Sequence, residues 1–464
     1  MPLTLTINGE QTRLENISPT LTLLEYLRQS GRVGTKEGCG DGDCGACTVV
    51  VVGDRADGGL HYQAMNSCLI PLGSVAGRQI ITVEGVANGK LHPVQEKMVE
   101  LGGSQCGYCT PGFIMSMFAA YYDGNPDDLA VEGNLCRCTG YLPIRRALAS
   151  LSLPDPQDPF QAQLEQAEVD PLPALEYQGN GQQFYRPTQL SDVLALMQTH
   201  PDATLVAGAT DLGLELTHRR QQYPVLISLE AVQELRVLRQ TDSQVTIGAA
   251  VPLSHFKVSL QGAFPALDEM LHWFAARQVR NRATLGGNIG TASPIGDLPP
   301  VLLALDATLM LASPAGTRTV AIADFFTGYR QTIRRPDEVI VTVTILKAIA
   351  PGATRRLSQS YKVGKRGTDD ISIVAATFTI DLDEHRTIVL ARLAYGGVAA
   401  TPIRAIAIEE MLVGQPWTLE TVQAVKPQLL STFTPLSDLR ASADYRNRLV
   451  ANLFEKFFVE FSDG

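Results

Sequence analysis

The eight cysteines of this 464-residue chain stand at positions 39, 44, 47, 68, 106, 109, 136 and 138, and residues 139–464 contain none. Cysteine used as an ordinary small core residue would be scattered along the chain. A disulfide framework calls for an oxidising compartment and usually a short secreted chain. The N-terminal stretch MPLTLTINGEQTRLENI has no basic segment followed by an apolar one, so a secretory signal is not expected. Clustered thiols in a long chain of this kind point instead to metal.

The first four read Cys39-x4-Cys44-x2-Cys47, with Cys68 following. That is the plant-type spacing for a [2Fe–2S] cluster. Zinc sites favour two C-x2–4-C pairs, and the uneven four-then-two spacing on one loop fits them poorly. The same stretch contains Gly40, Gly42 and Gly45 in a G-x-G-x-x-G pattern. A dinucleotide phosphate loop needs an apolar strand before it and a helix after it. Here GRVGTKEG precedes, and the β-branched run Thr48-Val49-Val50-Val51-Val52 follows and reads as a strand. Gly38, Gly40, Gly42 and Gly45 are expected to take positive φ and turn their N–H groups toward cluster sulfurs.

The second four are Cys106-Gly107-Tyr108-Cys109 and Cys136-Arg137-Cys138, each pair at the end of a helical pattern, so that the thiols meet between two antiparallel helices. Taken alone, C-x2-C…C-x-C leaves zinc open; the first set upstream weighs toward a second iron–sulfur cluster.

Four segments follow from the patterning. Residues 1–86 form a small α/β unit, with alternating Leu3, Leu5 and Ile7, an Asn8-Gly9 turn, a helix over 21–28 and strands over 48–52 and 79–83. Residues 87–152 are helical over 92–101, 110–122 and 141–151, with Thr110 as N-cap before Pro111. Prolines 154, 156, 159, 171 and 173 mark a stiff exposed linker over 153–177. Helices and short strands alternate over 178–348, and residues 349–464 combine strands over 372–382 and 387–395 with helices over 402–412 and 441–457.

Net charge is −10, which argues against nucleic acid or an anionic membrane as partner. The longest apolar stretch, 299–312, is interrupted by Asp306 and too short to span a bilayer, so a cytoplasmic protein is expected. Two small-residue segments draw attention. Leu205-Val206-Ala207-Gly208-Ala209-Thr210-Asp211-Leu212 is a strand running into a turn, and Thr284-Leu285-Gly286-Gly287-Asn288 is a glycine-rich loop. Two such loops can hold a pyrophosphate on main-chain N–H groups, and no Lys-Ser/Thr follows Gly213 to make a triphosphate loop.

QCGYCTPGFIMSM and GNLCRCTGYLPIRRA resemble the helical [2Fe–2S] domain of the xanthine dehydrogenase family of molybdenum hydroxylases, and the upstream loop resembles that family's ferredoxin-like domain. The resemblance implies a multidomain α+β chain: a β-grasp ferredoxin-like [2Fe–2S] domain (1–86), a helical-bundle [2Fe–2S] domain (87–152), a FAD domain of vanillyl-alcohol-oxidase type (178–348) and a C-terminal α+β domain (349–464). It further implies that Cys39, Cys44, Cys47 and Cys68 hold one cluster and Cys106, Cys109, Cys136 and Cys138 the other, nearest a molybdenum–pterin cofactor that Gln105 faces. FAD would meet Leu205 to Leu212, Thr284 to Asn288, Phe274, Asp297, Ile340 (where the family usually has leucine) and Lys362, and NAD⁺ would dock near the loop 363–370 and Tyr329. Arg145 and Arg146 would face either the partner or solvent.

The family's molybdenum domains are expected on a separate large subunit, because the sequence stops at Gly464. The chain thus resembles the iron–sulfur/FAD small subunit of a split bacterial xanthine dehydrogenase, with two copies of each subunit. Electrons from hypoxanthine or xanthine, oxidised to urate, would pass singly through the clusters to FAD and leave as a hydride to NAD⁺. An aldehyde- or other heterocycle-oxidising relative, or a stand-alone flavin/iron–sulfur carrier, are the alternatives. A simple carrier would need only the first cluster.

Overall fold

The alternating apolar residues of the N-terminus, Leu3, Leu5 and Ile7, are the buried positions of a strand paired on both sides. The structure, a computed structural model, describes residues 2–462 apart from 57, 88, 125 and 167–170. It divides into two compact units: residues 1–233 with 252–255 and 275–283, and residues 234–251 with 256–274 and 284–464.

In the first unit a five-stranded sheet runs in the order Glu10–Leu14, Leu3–Ile7, Gln79–Ile81, Thr48–Asp54, Leu60–Asn66. Only the Leu3–Ile7/Gln79–Ile81 pairing is parallel. The helix Leu23–Gln29 packs Leu23, Tyr26 and Leu27 against Leu3, Leu5, Ile7, Val49 and Val51 on one face, the β-grasp arrangement. On the other face Val50, Tyr62 and Ala64 meet the helix Thr110–Tyr122. The valine run is therefore buried at every position from Thr48 to Val51, because both faces of the strand are covered. Helices Pro93–Glu100 and Leu142–Ala149 complete the helical bundle around Phe113, Met117 and Phe118.

The first helix starts two residues later than the pattern implied, because Thr22 is its N-cap. The Thr22 hydroxyl accepts from Glu25 N–H (3.1 Å) while the Glu25 carboxylate accepts from Thr22 N–H (3.2 Å). Thr22→Ala is expected to cost about 1 kcal/mol, read as a lower denaturation midpoint. Similarly, Cys109 rather than Thr110 caps the helix Thr110–Tyr122. The proline-rich stretch after residue 153 is not uniformly exposed linker. It carries a helix, Pro159–Gln166, whose Phe160 and Leu164 pack on the bundle core, with the Tyr62 hydroxyl donating to the Phe160 carbonyl (2.9 Å). Pro159 opens this helix, where its missing N–H costs nothing. A four-stranded sheet in the order Leu175–Gly179, Gln182–Arg186, Val225–Ser228, Thr204–Val206 completes the first unit.

The second unit holds a five-stranded antiparallel sheet in the order Leu238–Gln240, Gln244–Gly248, Val339–Leu346, Thr308–Ser313, Gly316–Ala321. A second antiparallel sheet runs Arg355–Val363, Val374–Leu382, Ile388–Gly396, Ile403–Arg404. Helices Leu419–Leu429 and Ala443–Glu460 bury Trp417, Phe454 and Phe457 against Phe378 and Tyr395 of this sheet. Asp381, wholly buried in its central strand, is held by both guanidinium arms of Arg356 at 2.7 Å. The glycine-rich stretch read as a loop is a short helix, Leu285–Gly290. Thr284 supplies the cap that glycines alone would not, its hydroxyl accepting from Gly287 N–H at 3.0 Å.

Candidate functional site

The loop from Gly38 to Cys47 winds back on itself so that main-chain N–H groups meet sulfur. Cys39 N–H donates to Cys44 Sγ and Cys44 N–H to Cys39 Sγ, both at 3.3 Å, and Asp41 N–H donates to Cys39 Sγ at 3.5 Å. Cys47 and Cys68 lie with sulfurs 3.3 Å apart. Gly40, Gly42 and Gly45 take positive φ as expected. Gly38 does not; its constraint is steric, since a Cβ there would stand 2.6 Å from Cys44 Sγ. The hydrogen bond shared by the first pair lowers the Cys44 thiol to about 6 and pushes Cys39 up. The hydrogen bond with Cys47, and then burial, push the Cys68 thiol up.

In the second set Cys106 and Cys138 shift one another's ionisation, as do Cys109 and Cys136. Cys136 Sγ accepts from the N–H groups of Cys138 (3.5 Å) and Thr139 (3.4 Å), and its own N–H donates to the Tyr141 hydroxyl (3.1 Å). Cys109 is pushed up to about 12, first by burial and then by Cys136. Cys106 and Cys138 are exposed, as is Gln105 beside them.

Among the described residues no three or more His, Cys, Asp or Glu side chains converge to hold a single metal ion. The thiols stand instead in two sets, with main-chain N–H donors already aimed at the sulfurs of Cys39, Cys44 and Cys136. That donor set fits a [2Fe–2S] cluster, whose two irons each take two thiolates.

The two cysteine sets are held in backbone contact. Leu135 N–H donates to the Cys44 carbonyl at 3.0 Å, joining the residue before Cys136 to a residue of the first set. Gly45 sits so close that a Cβ would lie 2.2 Å from the Gly133 carbonyl, and a Cβ on Gly112 would lie 2.1 Å from the Gly45 carbonyl. Asn134 fastens the contact: its amide donates to the Gly45 carbonyl (3.1 Å) and its oxygen accepts from Ser116 (2.6 Å) and Gln278 (3.1 Å). A second bridge lies at Tyr108, whose hydroxyl donates to the Glu37 carbonyl while Lys36 donates to the Gly107 carbonyl (2.9 Å).

Of the flavin candidates in the first unit, Leu205 and Val206 end the strand Thr204–Val206. Ala207, Gly208, Ala209, Thr210 and Asp211 form the turn before the helix Leu212–Thr217. Ala209 takes φ +67°, and a Cβ on Gly208 would lie 1.9 Å from the Arg282 carbonyl. In the second unit, Gly286 lets the helix Leu285–Gly290 close onto Ala249, where a Cβ would come within 2.5 Å. The buried Asn288 Oδ1 has no protein hydrogen-bond partner among the described residues, as a ligand-facing amide would. Asp297 and Lys362, read from sequence as separate contacts, form a buried ion pair at 2.9 Å; Ser372 also donates to Asp297 (2.5 Å). Phe274 and Ile340 are buried, the latter on the strand Val339–Leu346. Tyr329 is exposed, and the loop 363–370 is organised by Asp370, which accepts from the N–H groups of Lys365 and Arg366.

Sequence reading missed a buried charge group in the first unit. Glu230 accepts from Arg78 (2.8 Å) and Arg282 (2.7 Å), with Arg186 beside them. Burial pushes the Glu230 carboxyl up, but the three guanidiniums outweigh it and hold it at about 2. The depressed value stabilises the fold above the ordinary carboxylate range, and that contribution fades as pH falls from about 4.5 toward 2. Glu230→Gln should therefore be less stable than the native chain at neutral pH, with the gap closing over that window in acid-unfolding curves.

Residues 5–73 match the family model of the 2Fe-2S iron-sulfur cluster binding domain, and 82–149 that of the [2Fe-2S] binding domain. Residues 177–345 match the FAD binding domain in molybdopterin dehydrogenase, and 359–461 the CO dehydrogenase flavoprotein C-terminal domain. The chain is 35% identical to xanthine dehydrogenase 2 of Arabidopsis thaliana over 98% of its own length. It is 31% identical to a chain of the carbon monoxide dehydrogenase from Hydrogenophaga pseudoflava, covering 94% of that chain and 59% of this one with a TM-score of 0.55. The chain belongs to the xanthine dehydrogenase family of molybdenum hydroxylases. It carries that family's two [2Fe–2S] domains, its FAD-binding domain and its flavoprotein C-terminal domain. Quinoline 2-oxidoreductase from Pseudomonas putida 86 is a further structural relative of the family (27% identity, 60% of this chain and 96% of that one, TM-score 0.55). The chain spans 39% of the length of the Arabidopsis xanthine dehydrogenase. Among the described residues no helix is long and apolar enough to cross a membrane.

Proposed function

We propose that this chain is the electron-transfer part of an NAD⁺-dependent xanthine dehydrogenase. It would receive electrons from a molybdenum–pterin centre on a partner subunit, in a cytoplasmic heterotetramer with two copies of each. Bound [2Fe–2S] clusters carry electrons singly, and FAD pairs them for hydride transfer to NAD⁺. Cys106, Cys109, Cys136 and Cys138 hold the entry cluster, whose exposed edge at Cys106, Cys138 and Gln105 faces the pterin. Cys39, Cys44, Cys47 and Cys68 hold the next. The observation that carries this reading is the hydrogen bond from Leu135 N–H to the Cys44 carbonyl, because it couples the two cysteine sets through little more than one peptide.

FAD is held by Leu205 to Leu212, Thr284 to Asn288, Phe274, Ile340 and the Asp297–Lys362 pair; NAD⁺ docks near Tyr329 and the loop 363–370. Xanthine is favoured because the likeness to the xanthine dehydrogenase runs through the iron–sulfur and flavin parts together, over 98% of the chain. The likeness to quinoline 2-oxidoreductase favours a second reading, the same relay serving another heterocycle.

The cofactor and acceptor parts are tested by anaerobic titration of the purified protein with NADH. Iron, sulfide and flavin are expected in a 4:4:1 ratio, two [2Fe–2S] clusters for each FAD, with both flavin and cluster absorbance bleached. A colourless, zinc-containing protein, or one that NADH leaves unchanged, would count against it.

A further inference from the structure

Three guanidiniums and one carboxylate share the interior of the first unit. Arg186 is almost wholly buried, donating to the carbonyls of Ala76 (2.8 Å) and Pro173 (3.0 Å). Arg78 and Arg282 both donate to Glu230, and none of these side chains is more than 13% exposed. A group built only to hold the fold together would balance its charges, since unpaired buried charge is costly. This one carries two positive charges in excess.

The excess lies against the turn 207–211. Arg282 Nε donates to the Gly208 carbonyl at 3.3 Å, and Arg282 Nη2 is buried with no protein partner among the described residues. The Gly208 carbonyl and the Ala209 N–H belong to one planar peptide and point opposite ways. Fixing the carbonyl on the guanidinium therefore turns the Ala209 N–H outward. Ala209 at φ +67° continues the turn in the conformation that gathers successive N–H groups into an anion cradle.

We propose that Arg282, with Arg78, Arg186 and Glu230 behind it, is the positioning and electrostatic backing of a diphosphate site at residues 208–211. Arg282 acts through the Gly208–Ala209 peptide, and the net positive charge of the group favours the pyrophosphate of FAD. This rests on the reading of 205–212 as a flavin contact.

The test uses the full chain with its clusters in place and the flavin removed, titrated with FAD. R282Q removes a positive charge and the Gly208 contact, and is expected to weaken FAD binding by about tenfold or more with iron content unchanged. E230Q adds to the positive excess, and is expected to lower thermal stability while tightening FAD binding. Opposite effects on affinity with the same sign on stability are the signature of electrostatic backing. If both variants lose FAD affinity in step with stability, or R282Q binds FAD as the native chain does, the proposal is overturned. Should R282Q not fold, R78Q takes its place, removing the same charge without touching Gly208. It is expected to weaken FAD less than R282Q would, but in the direction opposite to E230Q. A native chain that binds no FAD overturns the flavin reading itself, and this proposal with it.

Discussion

Cys136→Ser is expected to remove half of the protein-bound iron and leave the flavin in place. Cys136 is the buried member of the second set, with Cys138 and Thr139 N–H groups on its sulfur. A serine hydroxyl keeps the size but gives up the thiolate on which an iron–sulfur cluster depends. The expected pattern is asymmetric. NADH still reduces the flavin and the remaining cluster, while electrons from the molybdenum side no longer reach either. Cys68→Ser should also halve the iron, but it leaves the entry cluster reducible from the substrate side. Metal analysis with paramagnetic resonance of the reduced variants separates the two. Full iron content in Cys136→Ser would contradict the assignment.

Gly45→Ala is expected to be among the most destabilising single changes in the first unit, at about 2–5 kcal/mol. Part of that is the left-handed conformation, φ +66°, costing a non-glycine residue about 1–2 kcal/mol. The rest is overpacking of about 1–3 kcal/mol, because the new methyl would meet the Gly133 carbonyl at 2.2 Å, which is backbone and cannot swing aside. Relief requires the two cysteine loops to part, breaking the Leu135–Cys44 hydrogen bond. The variant should thus combine a lower melting temperature with slower electron exchange between clusters. Gly58→Ala, at a positive-φ glycine with nothing within 4 Å of its Cβ, is the control for the conformational part alone.

The cysteine spacing made both iron–sulfur domains legible, because ligand chemistry imposes its own periodicity on the chain. The all-buried valine run at Thr48–Val51 was legible as a strand for a similar local reason. What sequence could not show was the company each residue keeps. Asp297 and Lys362 read as two separate contacts because 65 positions divide them; only the fold makes them a pair. Arg78, Arg186, Glu230 and Arg282 are scattered along 205 positions, and as isolated charges each passes for a surface residue. The helix Pro159–Gln166 was hidden by the prolines around it, Pro154, Pro156, Pro171 and Pro173, whose turn-forming signal outweighed its few apolar residues. Gln278 is a further case: its place in the flavin segment gives no hint that its amide donates to Ser116 (2.9 Å) and Asn134 (3.1 Å).

The relay as a whole is tested most directly on the complex purified under mild conditions from its native host. Xanthine is added anaerobically while cluster and flavin absorbance is followed, and NAD⁺ is then supplied. Bleaching by xanthine, recovery of colour on NAD⁺ with formation of NADH, and a co-purifying molybdenum subunit are the expected results. A spectrum that xanthine leaves unchanged while dithionite bleaches it would contradict the purine assignment.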